Sequence, residues 1–599
     1  MKTATRVIPV VALFAAACSQ TAPSDQSGGS SGGPTTGGSG GTPSTGTGGK
    51  AASGGTGTGG SSGSSTGATS GTGANAGGTS GAGVGATSGT GANVGGTSGA
   101  GVGGSAGGAP PSGGMSGTGA VSGDSAGGSA GNAGSAGGGT AGQGTAGMGP
   151  LTCPALPTAA VAANDVIQFN DNGGWCWYQD ERAVVDTKGG KFVIASEASG
   201  GTRDSDQEVV IYDIASGAKQ RTQLQGDLNP DDHNTAAVFL RPDGGYAALW
   251  ATHRDTCLSY FSTYDGTAWA THKTYDWSKD GCPWDASSNP NPPHKVTYAN
   301  PWFLSAENKA YAGVRSVSTS PALLVSSDAG SSWNFYGRLT STPTTGYVAG
   351  YFKYWGNGVD RIDFVGTEAH PRDNNNNLWH GYYKGGKLYD TKDMVVDDNA
   401  GDMTAKNVDQ FTQVFKTGTS ATGGPALCRM WNHDITRYDD GTIVVTGQGR
   451  ADTCNDTPSG SDPDKRIMYS RWDGTSWKST YLVKAGNKLY ADEQDYTGLS
   501  AVHPDNPNVV FVSSNFDPRD DTTKTTKKEI YMGVTCDKGA TFKWAPITSG
   551  STVDNIRPIV PKWDTTHTLL LWMKGTYTSA QSYSMQIVGT TAISTTPAP

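Results

Sequence analysis

One unit recurs seven times in the chain: an apolar strand, a tight turn, and a second apolar strand ending in small or polar residues. The first four are RAVVDTKGGKFVIASEAS from Arg182, AAVFLRPDGGYAALWATH from Ala236, NPWFLSAENKAYAGVRS from Asn300 and YFKYWGNGVDRIDFVGTEAH from Tyr351. HDITRYDDGTIVVTGQGR from His433, SAVHPDNPNVVFVSSNF from Ser500 and RPIVPKWDTTHTLLLWMKG from Arg557 complete the set. Their turns lie roughly 50 to 80 residues apart, and most gaps hold further alternating runs such as DQEVVIYDI and RIMYSRWDGTSWKSTYLV. Helical periodicity is nearly absent from Phe169 onward. Seven four-stranded units at this spacing predict an all-β chain folded as a seven-bladed β-propeller of four-stranded antiparallel blades. A β-sandwich is the competing architecture, and it leaves the sevenfold repeat unexplained.

The repeats occupy only part of the 599 residues. More than half of the 90 glycines fall between positions 21 and 150, where Asp25, Lys50 and Asp124 are the only charges. Such a stretch cannot bury enough apolar surface to offset the entropy of ordering its backbone, so it is expected to be disordered. Within it GATSGTGANAGGTSGAGV from Gly67 recurs as GATSGTGANVGGTSGAGV from Gly85, and no position of this repeat could build a core. As a flexible coil it would hold the seven β units roughly 60 Å from its anchor. Ahead of it, a start with Lys2 and Arg6, an apolar stretch Val7–Phe14 and then Ala15-Ala16-Ala17-Cys18 have the layout of a secretory signal. A cysteine directly after small residues resembles the bacterial lipoprotein signal, in which Cys18 carries the lipid. The expected organisation is a lipoprotein-type signal peptide at 1–18, a disordered Gly/Ser/Thr-rich tether at 19–150 and a catalytic propeller at 151–599. The expected location is a bacterial cell surface or outer membrane, or the medium if the chain is simply secreted. Membrane contact would be through the lipid on Cys18 alone, and the expected state is a monomer.

The net charge of −9 argues against a free-standing basic patch, and so against nucleic acid as partner. It leaves room for an anionic substrate if a few cations share one cleft. In a propeller blade the start of the innermost strand and the end of the second lie on one face. Those positions hold His233 and His253 in the second unit, Tyr298 and Arg315 in the third, and Tyr351 and His370 in the fourth. Three His, two Tyr and an Arg on one face of neighbouring blades form the strongest candidate site in the chain.

The strings GWCWYQDERA from Gly174, DDHNTAA from Asp231, ATHRD from Ala251, TYANP from Thr297 and TEAHPRD from Thr367 carry a resemblance, together with NIRPIVPK from Asn555 and LWMKGTY from Leu571. They resemble the seven-bladed propeller polysaccharide lyases, the ulvan lyases in particular, and the related neuraminidase-repeat proteins, over nearly all of 165–590. Ser326 to Trp333 (SSDAGSSW) and Thr535 to Phe542 (TCDKGATF) resemble the Asp-box turns of sialidase-type propellers. The resemblance implies catalytic roles for His233, His253 and Tyr298, for Arg315 at a substrate carboxylate, and for a further tyrosine, Tyr351 with Tyr354 as fallback. The chain departs from the family pattern twice. Ala-Gly precedes Tyr351 where Arg-Pro is expected, and EQDYTG from Glu493 has Asp495 where His is expected.

A lyase acting on a 4-linked uronate removes the C5 proton beside the carboxylate and expels the sugar oxygen at C4. Abstraction would build a dianion unless the carboxylate is neutralised, a task suited to the always-charged, forked guanidinium of Arg315. Histidine or a cation-flanked tyrosine can move the protons. Tyr298 and His233 are expected to do so in an order the residues leave open, with His253 and Arg315 gripping the carboxylate. Asn234, His370 and Arg557 are the expected substrate-binding residues. The expected partner is an anionic polysaccharide of ulvan type, rich in rhamnose and uronate. A rhamnosyl-glucuronate lyase or an α-L-rhamnosidase-like enzyme is the nearest alternative. A sialidase would need an arginine triad, for which Arg315, Arg450 and Arg557 are candidates, and a non-catalytic sugar-binding propeller would use some of the 16 tryptophans as stacking platforms.

Cys257–Cys282 and Cys428–Cys454 are the expected loop-closing disulfides of an exported chain, with Cys176 buried and free inside Trp-Cys-Trp. No cofactor is expected to be required for catalysis. A structural metal ion, zinc or calcium, is the one cofactor considered, with Cys428, His433, His370 and His380 as its nearest donors, and the identity of any metal site stays unknown.

Overall fold

The structure is a computed structural model that describes residues 153–594, apart from 254, 281, 283–295, 317–319, 342–349 and 455–461. The expected signal peptide, Cys18 and the expected glycine-rich tether lie outside the described residues.

Seven antiparallel sheets form seven blades of a β-propeller, and their two inner strands are the seven recurring units. From the inside outward, blade 1 is Ala183–Asp186, Lys191–Glu197, Gln207–Asp213 and Lys219–Gln225. Blade 2 begins with Ala237–Leu240 and Tyr246–Ala251, blade 3 with Thr297–Leu304 and Lys309–Arg315, and blade 4 with Phe352–Gly356 and Ile362–Gly366. Blade 5 uses Ala426–Arg437 and Ile443–Arg450, blade 6 Ser500–Val502 and Val509–Phe516, and blade 7 Asp554–Ile559 and Leu570–Ser579. Blade 4 carries extra outer strands, and in blade 5 the short strand Thr419–Ser420 pairs with the start of the innermost strand.

Strand residues point alternately to opposite sides, and here both sides are interior. In the second strand of blade 1, Phe192 and Ile194 join a core shared with blade 7, while Val193 and Ala195 join one shared with blade 2. Each pair of neighbouring blades encloses such a core, which is why these strands read as continuous apolar runs such as Val509-Val510-Phe511-Val512, all fully buried. An eighth cluster, made of aromatic rings, sits on the axis.

Two features close the ring. Ile167–Asn170, which precedes blade 1, is the outermost strand of blade 7 and pairs with Ser582–Thr590. A disulfide joins Cys153 to Cys536 at the edge of blade 6. The expected pairs Cys257–Cys282 and Cys428–Cys454 are also formed, and Cys176 is buried and unpaired. The turns at Ser326 and Thr535 share one hydrogen-bond pattern. Ser326 Oγ and Thr535 Oγ1 accept the amides of Gly330 and Gly539 at 2.7 and 2.8 Å, and Asp328 and Asp537 accept those of Ser332 and Thr541, both at 2.8 Å. Gly330 has φ +90°, and a Cβ there would press on Phe239 and Ala247 of blade 2 at 2.9 Å, so glycine serves both the turn and the close approach.

Candidate active site

Six sequence-selected residues stand where a blade would put them. His233 lies in the short turn Asp232–Asn234 just before the innermost strand of blade 2, and His253 follows that blade's second strand. Tyr298 opens blade 3 at a bulge, with φ +68°, and Arg315 ends its second strand. Tyr351 immediately precedes the innermost strand of blade 4, and His370 follows its second strand. The axial aromatic cluster joins them across the ring. Tyr178, from the segment entering blade 1, packs on Tyr298 at 5.5 Å and Tyr351 at 4.7 Å, and Trp177 packs on Trp431 of blade 5 and Tyr496 ahead of blade 6. Rings from so many blades meet only on the axis, so the site lies at one mouth of the propeller.

The two histidine rings stack 4.2 Å apart and nearly parallel. Asp231 bridges them: Oδ1 lies 2.5 Å from His233 Nδ1 and Oδ2 lies 2.8 Å from His253 Nδ1. Asp232 Oδ1 adds a second carboxylate 2.8 Å from His233 Nδ1. Two positive rings at this distance would repel, so the pair holds one added proton. Burial opposes a charge on His233, but Cys176, Asp231 and Asp232 outweigh it and raise its pKa well above the usual histidine value. For His253 burial dominates, with His233 and Arg315 adding to it against Asp231, and its pKa falls to about 4. His233 is therefore an imidazolium at neutral pH. His253 is neutral, and donation from Nδ1 to Asp231 leaves its Nε2 with a lone pair. Burial tends to raise the pKa of Asp231, but the two histidines hold it well below the usual carboxylate range.

Arg315 lies over the rings of Tyr298 and Tyr351, 4.8 and 5.4 Å from their centroids. The Tyr298 hydroxyl is buried and takes no hydrogen bond among the described residues. Burial, against the opposing charge of Arg315, pushes its pKa well above that of a free tyrosine, so it rests as a neutral phenol. Tyr351 Oη is 2.9 Å from His370 Nε2, while His370 Nδ1 accepts the Arg372 amide at 3.1 Å. In a neutral His370 the proton is thus on Nε2 and is donated to Tyr351. Tyr354, the fallback, is buried in the core between blades 3 and 4, away from this group.

The mouth so described has two cations, Arg315 and His233, beside two neutral proton carriers, Tyr298 and His253. No protein-family profile and no curated protein matches the chain. Among solved structures, an ulvan lyase of polysaccharide lyase family PL25, bound to -[GlcA(1-4)Rha3S]-, aligns with a TM-score of 0.50 at 11% identity, over 70% of this chain and 94% of that one. The fold is that of the ulvan lyases. A second structure of the PL25 ulvan lyase gives 0.49 at 12% identity over 70% and 94%, and the polysaccharide lyase Uly1 gives 0.44 at 12% over 73% and 94%.

Two expected substrate contacts are placed beneath the surface. Asn234 is 1% exposed. Its side chain donates to the Asn229 carbonyl at 2.7 Å and accepts the His253 amide at 2.5 Å, which makes it a support for His253. Arg557 is also 1% exposed, and it bonds Asp232 Oδ2, the Trp175 carbonyl and Tyr577 Oη. It neutralises the carboxylate under His233 rather than facing the mouth. Arg450 is held by both oxygens of Asp495 at 2.7 and 2.9 Å, so Arg450 and Arg557, two candidates for a sialidase triad, are spent on buried carboxylates. The same contact accounts for aspartate in EQDYTG, because a histidine there could not bind Arg450 with two anionic oxygens.

The donor set considered for a structural metal does not assemble. Cys428 is in a disulfide, His433 bonds Ser500, and His380 bonds Thr391 and Asp363. Donor atoms of Cys176, Asp232 and His233, and of Asp231, His233 and His253, do lie within 4.8 Å of one another. Their carboxylates already serve Arg557 and the imidazole N–H groups, so we assign no ion to them.

Sequence reasoning missed Asp231, Asp232 and Tyr496. The aspartates were visible as the two residues before Asn-flanked His233, and their signal was adjacency to that histidine. Tyr496 Oη, 3.3 Å from His233 Nε2, lies far along the chain and showed no signal beyond its place just before a blade.

Proposed function

We propose that the protein is a polysaccharide lyase that cleaves a 4-linked uronic acid glycoside by β-elimination, in a polymer of the ulvan type built from rhamnose and uronate. The observation that carries this reading is the seating of Arg315 across Tyr298 and Tyr351 beside the stacked histidine pair. Arg315 and the His233 imidazolium receive the uronate carboxylate and offset the charge that builds as the C5 proton is removed. The neutral groups move the protons: His253 Nε2 takes the C5 proton, and the Tyr298 phenol gives its proton to the departing C4 oxygen. This exchanges the roles expected of the two histidines, because Asp232 and Asp231 together keep His233 charged and unable to act as a base. The likeness to an ulvan lyase bound to a glucuronate–rhamnose segment supports the choice of polymer class.

The test is incubation with ulvan-type and other uronate polymers. Elimination leaves a conjugated unsaturated uronate that absorbs in the ultraviolet. Release of sugar without that absorbance would make the protein a hydrolase, and binding without release would make it a lectin.

A further inference from the structure

The propeller has a second concave site at the opposite mouth of its axis. The segment after Cys176 threads from one mouth to the other. Trp177 and Tyr178 pack at the site described above, Asp180 lies deeper, and Glu181 emerges in the far pocket. Between them the axis is plugged by charge. Lys353, fully buried, donates to Asp180 Oδ1 and to the Trp177 carbonyl, both at 2.6 Å, and Arg182 approaches Asp180 at 3.5 Å. The two mouths are thus separate sites.

The far pocket has a volume of about 390 Å3 and draws its walls from the trailing ends of innermost strands around the ring. Its walls are mainly apolar, and they include Trp302, Trp355 and Trp563 from three different blades. A pocket with apolar walls and a few converging polar groups is the common form of a small-ligand site. Three polar groups converge here. Trp302 Nε1 is buried and has no hydrogen-bond partner among the described residues. Lys562 reaches over the Trp355 ring, 5.9 Å from its centroid, and lies 4.0 Å from the Asp505 carboxylate at the edge of ion-pair range, while remaining about half exposed. No hydrogen bond reaches the Glu181 carboxyl among the described residues, and burial beside Asp180 and Asp434 raises its pKa to about 8, so it is a neutral donor and acceptor at pH 7. The pocket therefore presents ring faces, an indole N–H, a protonated carboxyl and one cation. A sugar ring bearing an acid group matches that set: its C–H faces meet the indoles, its hydroxyls meet Glu181 and Trp302, and its anion meets Lys562.

We propose that this far pocket is a second carbohydrate site, which holds one acidic sugar residue of a polysaccharide against Trp302, Trp355 and Trp563 with Lys562 at its anionic group. The identity of that polymer with the substrate of the first mouth rests on the lyase reading, whereas the presence of the site does not. A chain held at both mouths would keep the enzyme on a large polymer between cleavages.

The experiment is affinity electrophoresis of the full chain through gels containing a uronate polymer, with Arg315→Ala as the background so that cleavage does not erode the gel. Lys562→Glu, at a partly exposed position, and Trp563→Ala are added singly. Each is expected to weaken retardation by the polymer roughly tenfold, while a neutral polysaccharide shows no effect of Lys562→Glu. In the Arg315-intact chain, the same substitutions should leave turnover of short oligosaccharides unchanged. Retardation unaffected by Lys562→Glu, whose fold is read by its melting curve, overturns the proposal. So does an uncharged apolar probe that occupies the pocket without competition from polymer. If no polymer is cleaved by the Arg315-intact chain, and yet Lys562→Glu abolishes retardation, the lyase reading fails and the second site stands.

Discussion

The imidazole rings of His233 and His253 lie 4.2 Å apart and share the carboxylate of Asp231. Sharing makes their proton states unequal, because Asp232 adds a second anion on the His233 side alone. One ring is then charged and the other neutral at neutral pH.

The activity profile should show this inequality. With the His253 pKa at about 4, kcat/KM on a short oligosaccharide is expected to persist into mildly acidic solution and fall along an acid limb near pH 4. Loss at high pH should begin above the ordinary histidine range, as His233 gives up its proton. An acid limb at about 6.5, the value of an unperturbed histidine, would contradict the assignment.

Asp231→Asn removes the anion that both rings share and is expected to lower kcat by about 10²- to 10⁴-fold. His233 loses one of its two carboxylates, so the high-pH limb should move down as well. A rate change without movement of either limb would place Asp231 outside the proton chemistry.

Tyr298→Phe deletes a hydroxyl that takes no hydrogen bond from the described residues, so it should leave the melting temperature nearly unchanged while kcat falls about 10²- to 10⁴-fold. Tyr354→Phe, three positions from Tyr351 but in the core between blades, should leave kcat near that of the parent. Calorimetry and initial rates on the same preparations separate the two outcomes.

Acid should destabilise the fold through its buried neutral histidines. Burial holds His433 at about 3 and His503 and His253 at about 4, while the unfolded chain protonates them near 6.5. Their folded pKa values are depressed, so their contribution is complete above pH about 6.5 and is lost as pH falls toward 4, by roughly 3 kcal/mol per residue. His233, with a raised pKa, works in the opposite sense and supports the fold below pH about 6.5. Chemical unfolding from pH 7 to 4 should therefore show a net fall in stability, and His433→Asn should flatten it. A curve level across that range would contradict the buried neutral state.

The seven hairpins were legible because their strands are buried on both faces and so stand out as apolar runs between turns. The six mouth residues were legible because a blade places two fixed positions at the axis. The closing strand Ile167–Asn170 was not, since its partner Ser582–Thr590 lies at the other end of the chain and a short run such as IQFN has no repeat to mark it. Arg557 and Asn234 carried the right chemistry at the right place along a blade, but burial depth is not written in spacing. Neither was the charge of His233, which depends on Asp232 turning toward it.

In the proposed elimination Arg315 neutralises the uronate carboxylate. The most direct measurement is the ultraviolet absorbance of an ulvan-type polymer incubated with the parent chain, Arg315→Lys and Arg315→Ala. A steady rise is expected for the parent, a loss of about 10²-fold or more for lysine, which cannot form the fork, and no rise for alanine. A rise retained by Arg315→Ala, or sugar release by the parent with no rise, would contradict it.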